Sequence, residues 1–268
     1  MADRKIKALV DTVIKRSTDD SLSLPDSDKF VLVEGEKLEI NWYRPAANNH
    51  WEFELEVPKN GFYNWFAYIP HVELTGIRGF KNKVKEIAER ELQFWAGHKE
   101  SENGFWQRVV QYWEQGVDIT SIDTVEEVSS SGYPWSAVFI SWIMKKAGAG
   151  TQFKYHPRHS VYIRDAIQKR KNNDINAAFK GYRLDEVSPK IGDLVCASRA
   201  ADAGRVGYDT TTDYASHCDV VVAVRSQEID VIGGNVSNSV TKIALKTDTQ
   251  GKLTDTSRPW FVVIKNLL

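Results

Sequence analysis

The chain is short of the residues that mark several protein classes. Two cysteines in 268 residues argue against a disulfide-scaffolded module. Cys196 and Cys218 each lie in an apolar, strand-like run and read as buried free thiols. No apolar stretch approaches the roughly 18 residues of a membrane span. The start, Met-Ala-Asp-Arg-Lys-Ile-Lys, lacks the apolar run and cleavage site of a secretory signal. An excess of one charge is missing too: residues 1–78 hold 10 Lys/Arg and 13 Asp/Glu, the remainder 25 and 23, for a net −1. That balance excludes whole-protein attraction to nucleic acid or to an anionic membrane. There is no Walker or dinucleotide glycine motif, and Gly233-Gly234-Asn235 reads as a strand-end turn. No cofactor is expected. His156 and His159 form H-x-x-H without two further ligands at recognisable spacing, so no metal is expected either. His159 reads as a cap for a helix starting near Ser160, or as part of a cleft rim.

What is present is an ordinary soluble composition, 42% apolar and 26% charged, enough for one large or two smaller domains. Residues 5–75 read as short strands. Residues 30–33 and 38–42 flank Glu34-Gly35-Glu36-Lys37 in a hairpin-like pair, and 50–57 alternate with period two. Asn60-Gly61 is a turn signal before a strand at 64–68. Such spacing implies a small barrel over 1–78. Nine aromatic residues lie between 42 and 68, more than a small barrel can bury. Some fill the core and others face out, where Trp42 and Trp65 are candidates to stack on a polymer. From about residue 80 the period becomes helical, with helices at 83–95, 105–113, 136–147 and 161–170. Strands follow at about 193–198, 218–225, 229–233, 240–246 and 260–264. Helices first and antiparallel strands afterwards make residues 79–268 an α+β domain. Between them, 199–216 form a long polar loop leading into His217, read either as a lid or as a surface insertion without a role.

The most informative stretch is Trp135-Ser136-Ala137-Val138-Phe139-Ile140-Ser141-Trp142, running on to Ala147-Gly148. Pro134 precedes it, Ser136 suits an N-cap, and Gly148 suits the left-handed residue that ends a helix. It is apolar almost all round, so it belongs in a core. A side chain at 136 then sits where helix-terminal N–H groups favour a developing anion.

This stretch resembles the signature of CHAP and NlpC-like cell-wall hydrolases, cysteine enzymes of papain-like fold, with Ser136 at the cysteine position. Pro189-Lys190-Ile191-Gly192-Asp193-Leu194-Val195 is similar to their P-x-x-G-D-h-V strand, and His217-Cys218-Asp219-Val220 to the strand that opens on their histidine. It also resembles a bacterial group of unassigned function with W-S-A-x-F-I-S-W. Residues 1–78, with G-x-x-L-x-I and N-W-x-x-Y elements, resemble the SH3-like modules of endolysins. The resemblance implies a papain-like α+β domain after an SH3-like β-barrel, and a peptidoglycan amidase or endopeptidase. A phage lysin or an antibacterial effector is implied, with a delivery apparatus and an immunity protein as its partners. Synthesis would be cytoplasmic, and action in periplasm or cell wall would follow delivery by a non-Sec route. The alternative is an inactive cell-wall-binding module of the same fold.

By that resemblance Ser136 is the nucleophile and His217 transfers its proton, while Trp135, Tyr133 and His159 are candidate substrate contacts. Geometry offers the third member. A hairpin centred on Ser226 sets His217 directly opposite Asn235, with Cβ atoms about 5 Å apart. Asn235 is therefore the expected orienter of the imidazole, and Asp219, on the same face as His217, the alternative. A helix dipole contributes about 0.3–1 kcal/mol when exposed, which helps a thiol ionise but leaves an alcohol protonated. Ser136 therefore needs a base in contact; without one it is only a cap.

Overall fold

The computed structural model describes residues 4–75, 79–199 and 204–268. The chain divides into two compact units, 1–78 and 79–268.

The first unit is built from antiparallel strands: β1 (Lys5–Ala8), β2 (Thr12–Lys15), β3 (Lys29–Leu32), β4 (Lys37–Ala46), β5 (His50–Lys59), β6 (Phe62–Tyr68) and β7 (Val72–Thr75). Their order, β3-β2-β6-β5-β4-β1-β7, is open: among the described residues no ladder joins β3 to β7. The expected pairing of β3 with β4 across Glu34–Lys37 does not form. β3 pairs with β2, while β4 pairs first with β1 and then with β5. The turn itself exists, but it is tied to the end of β1 by bonds from Gly35 N–H to the Ala8 carbonyl and from Ala8 N–H to the Glu36 carbonyl. Those bonds send the two strands to different neighbours. Inside lie Ile6, Ile14, Leu32, Ile40, Phe53, Leu55 and Trp65.

The second unit has helices α1 (Phe80–Trp95), α2 (Phe105–Val117), α3 (Val125–Val128), α4 (Ser136–Ala147) and α5 (His159–Lys171). They precede strands β8 (Phe179–Tyr182), β9 (Leu194–Ser198), β10 (Ser216–Arg225), β11 (Glu228–Gly233), β12 (Thr241–Lys246) and β13 (Trp260–Asn266). All pairings are antiparallel, in the order β12-β11-β10-β9-β13-β8. The architecture is thus α+β with two antiparallel sheets. Alternation along the strands gives this sheet two apolar faces. Cys196, Cys218, Val220, Val222 and Ile232 join α1, α2, α4 and α5 in one core. Val195, Ala197, Val221, Val231 and Trp260 form a second core on the other face.

Helix α4 is buried throughout from Ser136 to Met144, as its all-round apolar pattern requires. Each fully buried Val, Ile, Phe or Met adds about 1.5–3 kcal/mol, so tertiary packing rather than propensity holds this helix. Gly148 ends it at φ 92°, and its N–H reaches the Lys145 and Met144 carbonyls.

The cysteines correct the free-thiol expectation. Cys196 and Cys218 stand directly opposite each other on β9 and β10, Cα atoms 4.2 Å apart, and their sulfurs are joined. Cross-strand opposition, invisible in two isolated runs, brings them together.

Candidate functional site

The site begins at the head of α4. Trp135 is the N-cap residue and Ser136 the first helical residue, without a side-chain cap bond. This corrects the N-cap reading of Ser136 and leaves its hydroxyl available. Trp135 is fixed by stacking on Trp95, ring centroids 5.0 Å apart, and by an indole N–H bond to the Glu100 carboxylate. Burial raises the Glu100 pKa, against the opposing effect of that indole bond. The first bond back from the helix runs from Phe139 N–H to the Trp135 carbonyl, so the N–H groups of Ser136–Val138 precede it.

The partner of Ser136 is His159, with Oγ 2.7 Å from Nε2. His217 makes no hydrogen bond to Ser136, which corrects the expected dyad. His159 opens α5, and Tyr162, three residues on, bonds its Nδ1 through the phenol oxygen. Both lie on one helix face. Burial lowers the His159 pKa well below its usual range, with the charges of His217 and Arg199 acting in the same direction. The imidazole is therefore neutral at pH 7. Burial also raises the Tyr162 pKa, helped by Asp219, so the phenol keeps its proton. Two proton arrangements satisfy the ring. Ser136 can donate to Nε2 while Nδ1–H donates to Tyr162, or Tyr162 can donate to Nδ1 while Nε2–H donates to Ser136.

His217 belongs to a second group. Its Nε2–H donates to Asp219 Oδ1 at 2.7 Å, and the Arg258 guanidinium donates to Asp219 Oδ2 at 3.0 Å. Strand alternation explains the separation. Cys218, Val220 and Val222 turn toward the helices, so His217 and Asp219 turn the other way. The His217 ring nonetheless comes within 5.4 Å of the His159 ring, centroid to centroid.

Asn235 does not reach the expected position. The pairs Val220–Ile232 and Val221–Val231 have the register that would oppose it to His217, but β11 ends at Gly233 and Asn235 turns at φ 55°. Asp219, rather than Asn235, holds the imidazole. The pair fits because position 233 has no side chain. A Cβ there would lie 1.9 Å from Asp219 Oδ1 and 2.9 Å from His217 Nε2.

Two adjoining cavities open on these groups. One of about 410 Å³ is lined by Ser136, His159, Arg158, Asp213 and Ser216. The other, about 750 Å³, is lined by His217, Asn235, Glu100, Ser198 and Arg258. Pro134 and Arg199 line both.

Other expected contacts fare unevenly. Trp135 and Trp65 are fully buried and cannot touch a substrate, the first packed on Trp95 and the second in the β-core. Trp42 is half-buried and donates to Glu54 at 2.8 Å, whereas Tyr133 is exposed. In the first unit the exposed rings are Phe62, Tyr63 and Tyr68. Of the 199–216 loop, residues 200–203 lie outside the described residues. Its later part is tied to the start of α5, with Asp213 bound to Arg158 and Ser160, and Arg164 donating to the Thr211 carbonyl at 2.7 Å. Sequence reasoning missed Tyr162, which the i, i+3 spacing from His159 could have flagged, and Arg258, for which no signal existed. Among the described residues no group of three or more His, Cys, Asp or Glu is arranged to hold a metal, and no helix is long and apolar enough to cross a membrane.

Residues 100–266 match the family described as an uncharacterized protein conserved in bacteria, DUF2272. No curated protein and no solved structure matches the chain. Because the match takes in α2 through β13, and with them Ser136, His159 and His217, the chain belongs to the DUF2272 family.

Proposed function

We propose that the second unit is a hydrolase of papain-like type that cleaves amide bonds in cell-wall peptides. Ser136 is its nucleophile and His159 its base. The observation that carries this is the 2.7 Å contact between Ser136 Oγ and His159 Nε2 at the head of a buried helix. Ser136 attacks the scissile carbonyl carbon as its proton passes to Nε2. The oxyanion then lies against the first N–H groups of α4, and His159 returns the proton to the leaving amine. Tyr162 orients His159 from Nδ1. The His217 ring, held by Asp219, lies 5.4 Å from the His159 ring, centroid to centroid, and borders the second cavity. The choice of peptidoglycan rests on the ordered motif blocks at 135–142, 189–195 and 217–222. The first unit, proposed as an SH3-like module, binds the polymer through Phe62, Tyr63 and Tyr68.

The test is release of soluble muropeptides from purified sacculi. Wild type releases them, Ser136→Ala releases none, and His159→Gln is slower by about three orders of magnitude or more. Equal release by Ser136→Ala refutes the nucleophile.

A second reading, a cell-wall-binding module without catalysis, draws on Tyr162. If the phenol donates to Nδ1, Nε2 holds a proton and cannot accept one from Ser136. That reading requires sacculus binding by wild type with no release, and no labelling of Ser136 by a fluorophosphonate probe.

A further inference from the structure

Three arginines line the two cavities, and they differ. Arg158 is paired with Asp213, and Arg258 donates to Asp219 at 3.0 Å. Arg199 forms no side-chain ion pair among the described residues, and it is one of the two residues common to both cavities. Its position is set by its backbone, whose N–H bonds the Ala215 carbonyl at 3.0 Å, one step beyond the Ser198–Ser216 pair of β9 and β10.

A second observation concerns those serines. Ser198 and Ser216 are 3% and 5% exposed, and neither hydroxyl has a hydrogen-bond partner among the described residues. A buried hydroxyl without a partner costs about 1–3 kcal/mol, so such groups ordinarily meet one. Ser216 lines the cavity of Ser136, and Ser198 lines the cavity of His217. Directly opposed, they share a face. Both hydroxyl oxygens are closed off from solvent, so what the junction of the cavities offers a ligand is the Arg199 guanidinium.

We propose that Arg199 anchors a carboxylate of the substrate at this junction. The ligand class is an extended peptide with a free carboxylate next to the bond presented to Ser136. Only the identification of that bond rests on the hydrolase reading above. Electrostatics favour the arrangement. Arg199 lowers the proton affinity of His159, and a carboxylate on Arg199 offsets that effect. Binding such a substrate therefore makes the imidazole a better base as the cleft fills.

The experiment uses the full chain carrying Ser136→Ala, which separates binding from turnover. Acetyl-Ala-Ala is titrated calorimetrically as free acid and as carboxamide. The free acid should bind about tenfold more tightly, the equivalent of one charge-assisted contact. Added Arg199→Gln should erase the preference, and Arg199→Lys should keep part of it. Raising the salt concentration should shrink it. Arg199 is exposed, so both variants should fold, which circular dichroism checks. No binding of the free acid at millimolar concentration, equal binding of the two forms, or an unchanged preference in Arg199→Gln each overturns the anchor. If the preference appears as stated but wild type releases nothing from sacculi, the hydrolase reading fails and the anchor stands.

Discussion

Gly233→Ala should be the most damaging single methyl addition near the site, through one contact. The new Cβ would fall 1.9 Å from Asp219 Oδ1, where nothing under 3.0 Å is tolerated, so the carboxylate must move by an ångström or more. Asp219 is 1% exposed and has no room to move while keeping its bonds to His217 and Arg258. Breaking a buried charged pair costs about 3–5 kcal/mol. For a unit of this size each kcal/mol lowers Tm by about 2–4 °C, so a loss of roughly 6–20 °C is expected. The attribution to Asp219 is checked by a double-mutant cycle in urea unfolding. In an Asp219→Ser background the same methyl meets a shorter side chain, and its cost should fall to about 1 kcal/mol, a coupling of about 2–4 kcal/mol. A Gly233→Ala protein within about 1 kcal/mol of wild type, or strictly additive costs, would refute the argument that glycine is there to admit the carboxylate.

Other expectations follow from the same geometry. Burial lowers the His159 pKa well below the usual 6.5, so the unfolded chain binds more protons than the folded one as pH falls past that value. Stability should be full above about pH 6.5 and decline below it; His159→Gln should flatten that slope in urea titrations from pH 7.5 to 5, and an unchanged slope would assign it elsewhere. Tyr162→Phe leaves buried Nδ1 unpaired, so it should cost about 1–3 kcal/mol in urea unfolding. If Tyr162 orients the base, the variant should also lose kcat more than KM. Alkylation in denaturant without reductant should label neither cysteine under oxidising conditions. Cys196→Ala/Cys218→Ala should lose about 3 kcal/mol, the value expected for a loop closed across a 22-residue separation.

Much of the fold was legible because its signals are local. The helix at 136–147 could be read from its pattern, with only the cap at its head displaced from Ser136 to Trp135, since an all-apolar run bounded by proline and glycine leaves few alternatives. The five late strands were legible from short apolar runs between turn signals. The short pieces β1, β2, β7, β8 and α3 were missed, because four-residue elements carry too few periods to stand out. The hairpin of β10 and β11 was read in a register that holds at Val220–Ile232, yet the residue that mattered, Asn235, lies past the end of the strand. A ladder can be extrapolated only as far as its hydrogen bonds run.

By itself the sequence determined that a serine heads a buried helix, that a histidine opens a strand after it, and that strands follow helices in the second unit. Composition and periodicity suffice for that, because burying an apolar stripe fixes the element that carries it. Only the tertiary structure decided which imidazole meets the serine. His159 and His217 lie 58 positions apart with centroids 5.4 Å from each other, and no local pattern tells which one reaches position 136. That choice was made by the face each strand residue turns to the helices, by the missing side chain at 233, and by the start of α5 packing beside the head of α4. Such contacts arise from long-range packing, where distance along the chain no longer measures distance in space.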